Sequence, residues 1–321
     1  MIRFFLGNSI IALFFLPLII LVFQILNNQF PYHEIEKEIN YGFWNGLFNL
    51  PIIASQVIAS LLILVNSIVL NFTYNNYNFQ DKNSYIVSLI YVVLMSFYYS
   101  FYRFDGILMS HTFLILCLAQ FYQLNQNKDG KQAVFNGAFL LGCAATFHPP
   151  LLVFFPVYII MYLLLRPFIL RELFIFTTGF ISPLLFGITY LKWVGKELTS
   201  KLILDKVGIE LHKDFIIILV FILILLVLSA IGIRNRIIQS TNRLKKQIQM
   251  LWLLVLVAII IGSIDLYYYQ QIERFSLLLV SMPIILSFSF LNKRYGVLAT
   301  VLFYLTIAYA VIKFFLEQTL A

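Results

Sequence analysis

Eleven apolar stretches of roughly membrane-crossing length follow one another along the chain, and the ionisable residues fall in the short gaps between them. A helix rising about 1.5 Å per residue needs about 20 residues to cross about 30 Å of hydrocarbon. The pattern predicts helices near 9–26, 51–70, 84–101, 107–123, 133–147, 150–165, 173–191, 215–233, 250–270, 275–291 and 296–314. The expected fold class is therefore all-α, a polytopic transmembrane helix bundle of about eleven helices. It has no soluble domain, because the longest gaps, near 27–50 and 192–214, are too short to hold one. The 133–147 and 150–165 stretches are short enough to tilt, or to dip and return. Residues 10–26 follow Arg3 with no small-x-small cleavage site after them, so a retained first helix is expected.

The gaps have patterns of their own. In PYHEIEKEINYGFW, Ile35, Ile39 and Phe43 share a row at spacing four while Glu34 and Glu38 lie on another face, which predicts a short interfacial helix within 30–48. Residues 192–214 read similarly, with Val194, Leu198 and Leu202 in one row and Gly208 as a break. The Asn-rich run from Asn71 to Asn83 reads as a polar connector. Tyr98, Tyr99, Phe101 and Tyr102, and again Tyr267, Tyr268 and Tyr269, are expected at the headgroup boundary, where a tyrosine ring is in apolar surroundings and its hydroxyl is wet. Ala138, Gly142 and Thr146 form a small-residue row that lets a neighbouring helix approach closely.

Composition agrees with a lipid solvent. Hydrophobic residues make up 61% and charged residues 11%, too little polar side chain to cover a water-soluble surface. Placing the N-terminus in the cytoplasm gathers Arg3, Lys82, Lys128, Lys131, Arg166, Arg171, Arg234, Arg236, Arg243, Lys245, Lys246, Lys293 and Arg294 on that side, against Asp81, Asp129 and Glu172. That bias is what orientation by loop Lys and Arg requires, and an odd helix count then puts the C-terminus outside. The net charge of +8 does not point to nucleic acid, since the largest basic run, Arg234 to Lys246, joins two apolar helices without aromatic platforms. It reads instead as an orientation signal on anionic lipid. Cys117 and Cys143 lie within apolar stretches and read as packing residues. No GxxxxGK[ST] loop is present, which argues against ATP-driven transport by this chain.

Candidate chemistry collects on the outer side. Glu34, Glu36 and Glu38 follow the first stretch, Arg103 and Asp105 join the third and fourth, His148 the fifth and sixth, and Glu273 with Arg274 the ninth and tenth. Arg103 suits a phosphate, because a guanidinium binds two oxygens at once; a structural ion pair with Asp105 is the other reading. Asp265, about 15 residues into the ninth stretch, is an intramembrane acid and so a functional candidate, or else a boundary acid paired with Arg274. His33, His111, His148 and His212 show no HxxH or HxxxH spacing, so no metal site is assigned, although a divalent metal is compatible with the acids. His148 precedes Pro149 and Pro150, and a second reading gives it the task of satisfying that backbone break.

This layout resembles the GT-C type of membrane glycosyltransferase, which takes sugars from polyprenyl phosphates. The likeness lies in an acid-bearing interfacial segment after the first helix, an acidic site between the third and fourth, and the stretch KQAVFNGAFLLGCAATFHPPLLVFFP, where a basic loop leads through a Gly-rich helix and a polar break to a Pro-containing helix. It covers residues 1–195; residues 196–321 supply further helices of the same single membrane domain. The resemblance implies a catalytic acid among Glu34, Glu36 and Glu38, a second site at Arg103 and Asp105, and a polyprenyl-phosphate sugar as donor. This chain differs in offering Glu where such enzymes use Asp, and HPP where they often have Arg-Pro. It also resembles polytopic inner-membrane proteins of Bacteroidota, which implies a bacterial inner membrane.

The residues point the same way for one further reason: nucleotide sugars are cytoplasmic, so an outer site needs a donor already carried on lipid. A Glu acts there as general base, with Arg103 or Arg274 on the leaving phosphate. Two competing readings are a secondary transporter or channel using Asp265, with the broken 133–165 region as a discontinuous pair, and a non-catalytic scaffold for other membrane proteins of an envelope machine.

Overall fold

Long apolar runs in lipid have one economical way to satisfy their backbone, which is to hydrogen-bond within themselves as helices. The computed structural model describes residues 2–7, 9–29, 41–45, 47–48, 50–124, 130–195, 213–238, 240–269, 273–291 and 295–316. Twelve α-helices occur among them: α1 Ile2–Phe5, α2 Ile11–Gln29, α3 Ile52–Asn76, α4 Ile86–Met95, α5 Gly106–Leu124, α6 Lys131–Phe147, α7 Phe154–Leu165, α8 Leu170–Val194, α9 Lys213–Ile238, α10 Asn242–Tyr269, α11 Met282–Ser287 and α12 Gly296–Leu316. No strand occurs among the described residues. The protein is an all-α helix bundle, and six of its helices, α3, α5, α8, α9, α10 and α12, contain spans long and apolar enough to cross a membrane. Their outward faces carry Ile, Leu, Val and Phe, such as Ile53, Leu61, Phe186 and Val297. A multi-pass membrane protein in contact with lipid is the consequence.

All eleven predicted stretches contain a helix, but three of them are not single α-helices: 150–165 opens with a 3-10 turn at Pro149–Val153, and two others divide more deeply. The 84–101 stretch keeps regular α geometry only through Met95, about 15 Å. There the Ser96 hydroxyl donates to the Val92 carbonyl at 2.7 Å and meets the Tyr102 hydroxyl at 2.8 Å, and a 3-10 turn follows at Tyr99–Tyr102. The 275–291 stretch divides into a 3-10 helix Glu273–Val280, then α11, then a 3-10 helix Phe288–Leu291. Pro283 lacks the N–H a continuing helix would use, and Ser287 and Ser289 donate to carbonyls three residues back, at 2.7 Å each. These two segments are also the most enclosed. All of α4 and nearly all of 276–290 are buried, and α11 packs against both α4 and α9. With protein on every side, irregular backbone is tolerated at membrane depth.

The predicted small-residue row operates as expected. Gly142 of α6 lies against the Phe180 carbonyl and Pro183 of α8, so close that a Cβ there would fall 2.4 Å from the carbonyl oxygen. The Asn-rich connector begins later than expected, because α3 continues through Asn76. Asn71 and Asn75 are part of that helix and both donate to the Ser84 carbonyl, at 2.9 and 3.1 Å, while the Asn71 side-chain oxygen accepts from the Ser88 N–H near the start of α4. Their polarity is spent on caps between helices, not on water.

The aromatic cluster after α4 also departs from expectation. Tyr98, Phe101 and Tyr102 are buried in the protein, not spread along a lipid boundary. Tyr98 lies under the Lys313 ammonium of α12, 4.6 Å from ring centroid to Nζ, and Lys313 also donates to the Phe97 carbonyl. A buried lysine is acceptable with those two partners.

Candidate functional site

At one end of the bundle, the first rim, four chain crossings meet. Tyr41 donates from its hydroxyl to the Phe104 carbonyl at 3.1 Å, and the Phe104 N–H donates to the Ser55 hydroxyl of α3 at 3.3 Å. Trp44 donates from its indole to the Thr146 hydroxyl at 3.1 Å, and its ring lies 5.1 Å from that of Tyr190 on α8. Gly42 makes this docking possible. Its φ of +63° is a left-handed conformation, and its Cα faces the Thr146 and Phe147 carbonyls so closely that a Cβ would fall within 2.5 Å of both. The loop after the first long helix is thereby clamped to the Arg103–Asp105 loop and to the end of α6.

Asp105 has a structural task here. Its carboxylate accepts the Leu108 N–H at 2.7 Å and its carbonyl accepts the Met109 N–H at 3.2 Å, so it caps the start of α5. The same residue lines a small cavity with Phe101, Leu108, His111 and Ser276, with room for about one water, about 10 Å³. Tyr41 lies within electrostatic reach of both members of the Arg103-x-Asp105 pair: burial raises the Tyr41 phenol pKa most, the Asp105 charge raises it further, and Arg103 opposes them.

Below the cavity a hydrogen-bonded row runs into the bundle. Asn66 of α3 donates to the Tyr91 hydroxyl at 3.5 Å, Tyr91 meets His111 Nδ1 at 3.3 Å, and His111 Nε2 meets the Ser276 hydroxyl at 3.2 Å. With the ring proton on Nε2, the Tyr91 hydroxyl donates to Nδ1 and the ring donates to the Ser276 oxygen. The row ties α3, α4 and α5 to the 273–280 segment. His148 sits beside it, at the break between α6 and the 3-10 turn Pro149–Val153, within reach of charges on both Arg274 and His111. It is 8% exposed, and its Nε2 is buried without a hydrogen-bond partner among the described residues. The backbone break is satisfied by main-chain bonds, His148 N–H to Ala144 and Leu151 N–H to His148. The His148 side chain is therefore not needed for that purpose.

Of the expected site residues, the structure places His148 within electrostatic reach of Arg274, and Asp105 in one cavity wall with His111 and Ser276. Arg103 is at the same rim, next to the Tyr41–Phe104 contact. Glu34, Glu36 and Glu38 lie outside the described residues, as do His33, His212 and most of the predicted 192–214 segment. Asp265 lies within α10, and its side chain is outside what is described. Among the described residues, no group of three His, Cys, Asp or Glu side chains is placed to hold a metal ion, and both cysteines are free.

Asn66, Tyr91 and Ser276 were not singled out by the sequence. A signal existed for Asn66, an uncharged amide in the middle of an apolar stretch, whereas a lone serine or tyrosine in such a stretch carries none.

The chain belongs to a family of unknown function, DUF6427, which residues 48–319 match. The matched region starts after Glu34, Glu36 and Glu38 and takes in Arg103, Asp105, His148, Asp265 and Arg274. No curated protein and no solved structure matches the chain.

Proposed function

We propose that the first rim handles the phosphate-bearing headgroup of a lipid-linked sugar, as a GT-C-like glycosyltransferase of cell-envelope assembly in a bacterial inner membrane, with this rim facing outward. The observation that carries the reading is the Tyr41–Phe104 hydrogen bond. Glu38 precedes Tyr41 by three residues, a tether of at most about 11 Å, and Phe104 stands between Arg103 and Asp105. The acid-bearing loop and the second acidic site, which the resemblance pairs, are thus joined directly. His148, with its unpartnered ring nitrogen, and Arg274 add a hydrogen-bonding group and a permanent cation beside them.

In this reading one Glu of the trio removes the acceptor hydroxyl proton as its oxygen bonds to the sugar's anomeric carbon. The bond from that carbon to the phosphate oxygen breaks, and the lipid phosphate leaves with the electron pair, held by Arg103 and Arg274. The test replaces Glu34, Glu36 and Glu38 together by Gln and measures lipid-linked sugar turnover and envelope glycan. Loss of transfer, by about a hundredfold or more, at normal protein level is the expected result for removal of a general base. Unchanged transfer removes the base and the reading with it.

A further inference from the structure

The sides of α2 and α3 that face each other leave a groove of about 370 Å³ in the half of the bundle nearer the first rim. Ile20, Leu21, Val57 and Leu61 make it apolar, as a lipid chain requires, but Gln24 and Ser60 interrupt that wall. Ser60 donates to the Gln24 carbonyl oxygen at 3.4 Å, which leaves the Gln24 amide nitrogen buried with no partner among the described residues. Gln24 is five residues before the end of α2, about 8 Å below the rim at the helical rise. An unpartnered N–H in hydrocarbon is costly, so the occupant that suits this groove offers an acceptor oxygen at that depth.

We infer that the groove binds an acyl glycerolipid, with one chain along the apolar wall and an ester carbonyl accepting from Gln24. The chemistry separates this occupant from two others. A polyprenyl chain fills the same wall but has no oxygen below its phosphate, and a partner helix keeps its carbonyls behind its own side chains, so it would need a polar side chain at that depth to reach Gln24. The groove is also continuous with the rim. Ile53 and Gln56 line it at the start of α3, and Ser55 between them, on the inner side of the helix, accepts the Phe104 N–H between Arg103 and Asp105. A glycerolipid seated on Gln24 therefore presents its headgroup at the level of that loop. Its assignment as the acceptor of sugar rests on the proposed transfer, whereas its binding does not.

The experiment uses full-length protein in detergent, with native mass spectrometry as readout and no sugar donor present. The probes are diester phosphatidylethanolamine, its diether analogue and polyprenyl phosphate, each competing for the bound lipid. Retention of the diester about tenfold above the diether is expected, the worth of one carbonyl hydrogen bond at this depth, and Gln24→Leu abolishes the preference. Equal retention of diester and diether by the wild-type protein overturns the inference without any variant having to fold. So does displacement of the diester by polyprenyl phosphate. A protein that keeps the diester preference here, but shows no sugar transfer in a separate assay supplied with the polyprenyl-phosphate sugar, overturns the enzymatic reading alone.

Discussion

The two ends of the bundle use their charged and polar groups differently. At the second rim, each described acid is matched by a base: Asp81 by both guanidinium nitrogens of Arg236, at 2.7 and 2.8 Å, and the buried Glu172 by Arg166 at 3.5 Å, with the Tyr162 hydroxyl donating to it at 2.8 Å. These contacts link segments of different helices, although Arg236 Nε and Arg243 Nε stay buried there without a hydrogen bond among the described residues. At the first rim the polar groups are drawn inward around a water-sized cavity, and His148 Nε2 has no hydrogen-bond partner among the described residues. Stability alone would favour pairing or removing such a group. The second rim pairs its described acids with bases and so fastens the bundle; the first gathers its polar groups around a cavity, which is what a binding site requires.

The largest expected effect is at the clamp that builds the first rim. Gly42→Val puts a β-branched residue at φ +63° and drives its Cβ into the Thr146 and Phe147 carbonyls, so a loss of roughly 3–5 kcal/mol is expected. The measurement is the unfolding midpoint of detergent-solubilised protein, together with Trp44 fluorescence, which shifts to the red as the indole leaves Thr146 and Tyr190. An unchanged midpoint and spectrum would mean that the first loop is not anchored here, and the contrast between the rims would lose its basis.

A smaller effect is expected inside the row. His111→Leu fills the volume but takes away the partners of the Tyr91 and Ser276 hydroxyls. Tyr91 keeps Asn66, so about 2 kcal/mol is expected, nearer one buried hydroxyl than two. His111→Gln restores a polar terminus and recovers part of the loss. If both variants unfold together, the row is held by packing and not by its hydrogen bonds.

The positions of the helices could be read in the sequence because lipid imposes one rule on every exposed face, and runs such as 215–233 obey it without exception. Where protein replaces lipid the rule lapses. The stretches 84–101 and 275–291 look as apolar as any other, yet Ser96 ends the helix of the first and Pro283 opens a new one within the second, because neighbouring segments supply what a regular ladder would have supplied. The Asn71 and Asn75 amides were misread for a related reason: a polar residue near a helix end signals water only if no second helix begins beside it. Of the site, the rim-facing charges were legible from the gaps. The row from Asn66 to Ser276 was not, since it joins residues 210 positions apart through side chains that look individually like packing.

The smallest effect belongs to the second rim and tests its independence. The Arg236 guanidinium, through its hydrogen bonds and its charge, holds the Asp81 carboxyl below the usual carboxylate range. A value depressed in the folded protein adds stability that is fully present above the unfolded pKa of about 3.9 and is lost as pH falls through the folded value. Arg236→Ala should therefore destabilise at neutral pH, and the difference from wild type should vanish in acid below that window. Because the Asp81 side chain is 82% exposed, solvent screening limits the cost to about 0.2–1 kcal/mol, and it should shrink further in high salt. Lipid retention and sugar turnover should not change, since this pair lies at the opposite end of the bundle from Gln24 and Arg103. A variant that lost either activity while its unfolding midpoint held would show the two rims to be coupled, and the division between fastening and binding would have to be withdrawn.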